Sequence, residues 1–303
     1  MAAGGSMKAV LAALGANAGI AVAKFVGFAV TGSSSMLAEA VHSVADTSNQ
    51  GLLLLGNRTS KRRATPEHQF GFGRERYFYS FVVALLLFSL GAVFASYEGI
   101  HKILDPHPIE SPLVAVVILV VAIVLEGFSF RTAVRESTHL KGNRSWWRFV
   151  RDAKTPELPV VLLEDAGALV GLALALAGVG LAELTGEPVW DGVGTLGIGM
   201  LLAAIAIILI VEMKSLLIGE GADAELLRRI VGELENDKVD RVIHIRTQYL
   251  GPEDLLVAAK VSLRGSPPIS EVARVIDDAE ARVRASVPEA TLIYLEPDLD
   301  RTP

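Results

Sequence analysis

Six stretches of the chain are apolar over enough residues to be read as membrane crossings. They run from Val10 to Thr31, Ser35 to Asn57, Phe78 to Ile100, Pro112 to Phe130, Pro159 to Ala182 and Gly192 to Val211. A spanning helix needs about 20 mainly apolar residues to cross roughly 30 Å of hydrocarbon. The first stretch is too long for the apolar part of a leader peptide and lacks a cleavage site of convincing form, so it reads as the first span. After Lys214 the pattern changes. Ala224 to Glu235 repeats at helical spacing, with Leu226, Leu227, Ile230, Val231 and Leu234 on one side. Val242 to Tyr249 and Leu255 to Leu263 read as strands around the turn Gly251-Pro252-Glu253-Asp254. A second helix runs from Ile269 to about Ala285, and Thr291 to Glu296 is a third strand. The predicted architecture is a multi-span α-helical membrane domain of six transmembrane helices over residues 1–215. A C-terminal α+β domain of ferredoxin-like αββαβ order follows over residues 216–303, its helices on one face of the sheet.

Composition agrees with a membrane protein: 51% of the 303 residues are hydrophobic, 20% are charged, and mean hydropathy is +0.44. Residues 220–303 hold 17 acidic and 11 basic residues, so the whole net charge of −6 lies in the tail. Lys and Arg set the orientation. The segment after the second span carries Arg58, Lys61, Arg62, Arg63, Arg74 and Arg76, and that after the fourth carries Arg135, Lys141, Arg144, Arg148, Arg151 and Lys154. The opposite loops hold Lys102 alone or only acids, which predicts a multi-pass protein with both termini cytoplasmic; the membrane expected is a bacterial inner one. With no cysteine, disulfides, zinc ribbons, iron–sulfur clusters and thiol nucleophiles are excluded, leaving His, Asp, Glu and oxygen donors for metals. Neither a Walker nor a dinucleotide glycine pattern is present, so energy would come from a gradient; no prosthetic group and no nucleic-acid partner are expected.

Ionisable groups inside a span cost at least about 2.5 kcal/mol each on insertion scales, so they are functional or paired. The second span holds Glu39, His42, Ser43, Asp46 and Asn49. His42 and Asp46, four residues apart, stack on one helix face and offer half of a tetrahedral divalent-metal site; a His–Asp hydrogen bond that locks the helix is the competing reading. The fifth span holds Glu164 and Asp165, about 100° apart around the helix, which either supply ligands from a second helix or snorkel to the inner surface. Lys24 lies at a depth comparable with Glu39, which predicts a structural ion pair. Glu98 and Glu126 approach the two interfaces, and Asn17 is a helix–helix hydrogen-bonding or outer-shell group.

These residues resemble the cation diffusion facilitator family. The His42-Ser43-Val44-Ala45-Asp46 signature, the turn Thr31-Gly32-Ser33-Ser34-Ser35 with Leu37-Ala38-Glu39-Ala40, the segment His68-Gln69-Phe70-Gly71-Phe72-Gly73-Arg74 and Asp191-Gly192 carry the likeness. It covers essentially the whole chain and implies a homodimer in a lipid bilayer. Such a dimer exchanges a cytoplasmic divalent cation for protons through ligands on the second and fifth spans. In the family the fifth span has His or Asp four residues before its Asp. Here Asp165 matches that Asp, while Val161 stands at the earlier position. Glu164 lies about 60° from Val161 around the helix, close enough to reach the vacancy from the shoulder. This Glu-Asp pair resembles the divergent branch related to the mitochondrial zinc transporter.

The implied metal ligands are His42, Asp46, Asp165 and Glu164, with Glu39 as a further one and with Asn17 and Lys24 in support. The function expected is proton-coupled zinc efflux. A manganese, iron or cobalt exporter of the same type, or a metal-responsive scaffold that no longer transports, are the alternatives. An enzyme is not expected, since no His-Glu-x-x-His sequence or nucleophile is present. The tail has one His, His244; Glu253, Asp254, Glu296, Asp298 and Asp300 read as a solvated acidic face, and the tail's role as dimerisation.

Overall fold

The computed structural model describes residues 18–299. Asn17 and Asp300 therefore lie outside the described residues. The chain divides into two compact units, one of residues 1–56 and 78–213 and one of residues 57–77 and 214–303.

The first unit is helical. Helix α1 is described over Ala18–Thr31 and α2 over Ser34–Ser60. Helices α3 (Glu75–Leu86) and α4 (Phe94–Leu104) run on through a π-helical stretch, Leu87–Val93, as one rod. Helix α5 (Pro112–Lys141) starts with proline in its first turn, where the missing N–H would be unpaired anyway, and ends at Gly142 with positive φ. The short α6 (Trp146–Asp152) is capped by Ser145, whose hydroxyl accepts from the Arg148 N–H. Helix α7 (Glu157–Thr185) stops at Gly186 in the left-handed region, and α8 (Val189–Ile218) follows. Among the described residues four helices are long and apolar enough to cross a membrane: Glu75–Leu104, Pro112–Thr138, Glu157–Thr185 and Val189–Ile218. The two other expected spans differ for separate reasons. Helix α1 is described over too short a length, and α2, although 27 residues long, is diluted by Glu39, His42, Asp46, Asn49 and Arg58.

Small residues let α8 approach two neighbours. A Cβ on Gly178 of α7 would lie 2.9 Å from the Trp190 carbonyl, and one on Gly194 of α8 2.9 Å from the Leu174 carbonyl. On its other side, a Cβ at Gly192 would lie 3.1 Å from the Gly99 carbonyl, and one at Gly199 would strike Ser96. Where lipid is as apolar as leucine, helix association rests on this close backbone packing. At the same end Asp191 holds the turn between α1 and α2. Its carboxylate accepts from the Ser33 hydroxyl (2.9 Å) and from the Ser34 (2.8 Å) and Ser35 (3.3 Å) N–H groups, placing a negative charge on the otherwise unpaired donors of the α2 N-terminus. Gly32 turns with φ +62°, and its carbonyl accepts from the buried Lys102 ammonium at 3.5 Å.

The second unit carries a small mixed sheet in the order β1-β2-β3. Strands β1 (Val239–Gly251) and β2 (Asp254–Leu263) are antiparallel, with Thr247 opposite Val257; β3 (Leu292–Pro297) is parallel to β2, with Ile293 opposite Val257. A parallel neighbour needs a crossover, which α10 (Ile269–Ser286) supplies. Leu255, Val257, Ala259 and Val261 alternate inward on the central strand. The first three join Ile230 and Leu234 of α9 (Ala224–Leu234) and Ala279 and Val283 of α10 in the core. Asp223 caps α9 by accepting from the Glu225 and Leu226 N–H groups. The loop after α2 belongs to this unit. Gly73 lies against Leu250 and Gly251, Arg76 pairs with Glu253 at 3.5 Å, and Arg62 stacks on Phe72.

Two outcomes follow for thermal unfolding of the detergent-solubilised protein. Leu255→Ala empties a fully buried central-strand position and lowers stability by about 2–5 kcal/mol, whereas Ile269→Ala, at an exposed site, changes it by less than about 0.5 kcal/mol. Asp191→Ala strands the serine donors and destabilises the membrane unit by about 3–5 kcal/mol, a loss that equal stability of parent and variant would contradict.

Candidate metal centre

The polar residues of α2 recur at positions 39, 42, 43, 46 and 49, which is one stripe of a helix, and all five are buried. His42 Nδ1 stands 3.6 Å from Asp46 Oδ1, beyond hydrogen-bonding distance. Both ring nitrogens of His42, Asp46 Oδ1 and Asn49 Oδ1 are buried without a hydrogen-bond partner. Such orphaned atoms are uncommon in folded proteins and mark places where the fold has left coordinating capacity free.

Helix α7 faces this stripe with Glu164, which is buried and accepts from Asn49 Nδ2 at 3.0 Å. The Asp46 and Glu164 carboxyls lie within hydrogen-bonding reach of each other. Two carboxyls so close in a water-poor site call for a proton or a cation between them. Asp165, the next residue, is half-buried and points elsewhere: its carboxylate accepts from Ser129 of α5 at 3.0 Å. Val161 is half-buried and packs among apolar residues. The structure thus brings His42, Asp46 and Glu164 to one region and sets Asp165 on the α5 side. No group of three or more His, Asp or Glu among the described residues is drawn in tightly enough to hold a metal ion as placed.

The ion pair anticipated between the first two spans is present. Lys24 Nζ donates to Glu39 Oε2 at 3.0 Å and to Ser43 Oγ at 2.8 Å, with both charged side chains almost fully buried. The second Glu39 oxygen, Oε1, has no partner. Gly171 of α7 makes room for it: a Cβ there would lie 2.7 Å from Oε1. Glu98 is half-buried and accepts from Ser34 Oγ at 2.9 Å. The roles of Gly171 and Ser129 were not legible in the sequence, since a glycine and a serine inside apolar helices carry no signal of what they face.

In the tail several of the acids have local partners. Lys260 takes Glu296 at 3.0 Å and Asp298 at 3.2 Å, Asp254 accepts from Thr291, and His244 accepts from Arg246 Nε.

Comparison with known proteins places this geometry in context. Residues 10–218 match the model of the cation efflux transmembrane domain. The chain is 39% identical over 246 residues to the mitochondrial proton-coupled zinc antiporter SLC30A9 of Xenopus laevis, covering 80% of this chain and 44% of that protein. Against the Homo sapiens protein of the same name it is 37% identical over 265 residues, covering 86% and 46%. To the cation-efflux pump FieF of Pectobacterium atrosepticum it is 27% identical over 276 residues, covering 90% and 86%. The chain spans about half the length of the mitochondrial relatives it matches. With the domain match running over residues 10–218 of 303, and with the buried His42–Asp46 stripe inside it, this integral membrane protein belongs to the cation efflux, or cation diffusion facilitator, family.

Proposed function

We propose that the protein is a proton-coupled antiporter of divalent cations whose principal cargo is zinc. The observation that carries this reading is the set of unsatisfied donors on α2, His42 and Asp46, set opposite the buried Glu164 of α7. Zinc binds His nitrogen and carboxylate oxygen at about 2.0–2.2 Å, so an ion touching both His42 Nδ1 and Asp46 Oδ1 at their present spacing would subtend about 120°, near the tetrahedral value. Glu164 supplies a third ligand after a small side-chain movement, and the fourth position stays open to water, since Glu39 is held by Lys24. Asp165, held by Ser129, serves as the outer carboxylate that replaces or relieves Glu164 as the helices move.

Coupling follows from the chemistry of the donors. Imidazole and carboxylates bind a metal only when deprotonated, so cargo and protons compete for the same atoms, and each metal bound releases protons. A proton gradient then drives the metal the other way without nucleotide hydrolysis. The names of the related zinc antiporters support zinc over manganese, iron or cobalt. A carboxylate opposite Asp46 weighs against a scaffold that has lost transport. Membership of a transport family fits a protein that is no enzyme.

The same reading takes α1 and α2 as two further spans, which makes six, with both termini on the side of the basic loops. It takes the tail as a ferredoxin-like dimerisation domain and residues 1–215 and 216–303 as the two domains of a homodimer. Relatives named for the mitochondrion weigh against the bacterial inner membrane, and the function requires only a bilayer that sustains a proton gradient.

In vesicles holding a zinc-sensitive dye, an imposed pH gradient is expected to drive zinc movement with counter-flow of protons; His42→Ala and Asp46→Ala abolish both while the protein stays folded. Normal exchange by either variant would remove α2 from the site. Calorimetric titration with zinc should show Glu164→Gln weakening binding by at least about tenfold, and Asp165→Asn by less, because Glu164 rather than Asp165 faces Asp46. The reverse order would make Asp165 the α7 ligand. In the parent, zinc affinity falls as pH is lowered, since protons then hold the donors.

A further inference from the structure

The Lys24–Glu39 pair lies within one helical turn of the cargo donors, yet the exchange just described makes no use of it. Glu39, His42, Ser43 and Asp46 share one face of α2 at spacings of three and four residues, where neighbouring side chains lie about 5–6 Å apart at their Cβ atoms. Lys24 grips this face at two points, Glu39 Oε2 and Ser43 Oγ, and so straddles His42. Ile20, Val117, Val121 and Leu125 line an apolar hollow beside it, and the Glu126 carboxyl of α5 is near enough to feel its charge, but its hydrogen bonds go to Glu39 and Ser43. Only one of the Glu39 oxygens is thereby used. The other is buried, unpartnered and housed in the notch left by Gly171. A buried carboxylate one turn from a metal site, with an oxygen that has no partner, would turn toward a divalent cation unless something held it.

We propose that Lys24 is a positioning residue that determines metal specificity: by holding Glu39 it keeps this carboxylate out of the cargo's coordination shell. The inference rests on the antiport reading above. A site confined to one imidazole and two carboxylates suits zinc, which is content with four ligands of nitrogen and oxygen. Manganese is a harder ion that favours six oxygen-rich ligands, and it would gain most from a further carboxylate. Lys24 therefore acts against the wrong ion, by withholding a ligand that ion needs, more than it acts for the right one.

The test compares Zn²⁺ and Mn²⁺ in the reconstituted full-length protein. Lys24→Gln, which still donates a hydrogen bond, and Lys24→Met, which keeps the stem, are expected to raise the ratio of Mn²⁺ to Zn²⁺ transport by at least about tenfold while zinc exchange persists. The neutral pair Lys24→Met/Glu39→Gln removes the liberated carboxylate and returns the ratio to within about twofold of the parent. A pair with a purely structural role would instead lower both metals together and leave the ratio alone. An unchanged ratio in the folded single variants overturns the proposal. So does a raised ratio that survives Glu39→Gln, and so does a result in which both single variants fail to fold while the neutral pair folds. If the parent moved no zinc, the antiport reading would fall separately. The Zn²⁺ and Mn²⁺ affinities of the same purified proteins would then decide the role of Lys24 by the same ratio.

Discussion

The structure is governed by the cost of keeping polar groups in a medium that cannot solvate them. Five polar residues lie on one stripe of α2, two of them acids, and each charged group at the centre of a bilayer costs roughly 2.5–3.5 kcal/mol on insertion scales. Three of the helices around α2 contribute something that offsets this. Helix α1 brings the Lys24 ammonium to Glu39 and Ser43, α7 brings Glu164 to Asn49 and Asp46, and the start of α8 brings Asp191 to the serines before the stripe. The atoms left unsatisfied, on His42, Asp46, Asn49 and Glu39, are the remainder after this accounting. In an ordinary core such atoms would be a defect. Under the antiport reading proposed above, they are where a cation would fit.

Close packing on glycine is the second condition, because polar pairs at 3 Å need helices that come near one another. Gly178 and Gly194 seat α7 on α8, Gly99, Gly192 and Gly199 seat α8 on α4, and Gly171 opens the notch for Glu39. These contacts concentrate toward the α1–α2 turn, where Asp191 is fully buried. At the level of Asp46 and Glu164 the polar atoms are less completely paired. A bundle firmly zipped at one level and only partly satisfied at another fits the proposed exchange, in which the site would change the side it faces.

The tail follows different physics. It carries the chain's net negative charge on a surface where acids pair locally, Lys260 with Glu296 and Asp298, Arg76 with Glu253, Arg284 with Glu280. Exposed pairs of this kind add little stability. The fold there comes from the apolar side of β2 closing against α9 and α10.

The linear sequence by itself determined much of this protein. Apolar runs located four long helices, although two of them run on past the expected ends, to Lys141 rather than Phe130 and to Ile218 rather than Val211, and the tail's order of helices and strands followed from periodicity and turn chemistry, because both depend on near neighbours. His42 and Asp46 were legible for the same reason: four residues along a helix is one turn. The depth of Lys24 and Glu39 either side of a tight turn also sufficed to foresee their ion pair. Tertiary structure decided which of two adjacent acids faces α2. Glu164 and Asp165 differ by about 100° around one helix, and nothing local says which direction is inward. Only the packing of α5 and α2 on α7, with Ser129 on one side and Asn49 on the other, resolved that choice. The grouping of residues 57–77 with the tail, the clamp of Asp191 on a turn more than 150 residues away, and the notch at Gly171 were equally hidden. Each is a contact between distant segments, and the chain records such contacts only through the small or polar residues that permit them.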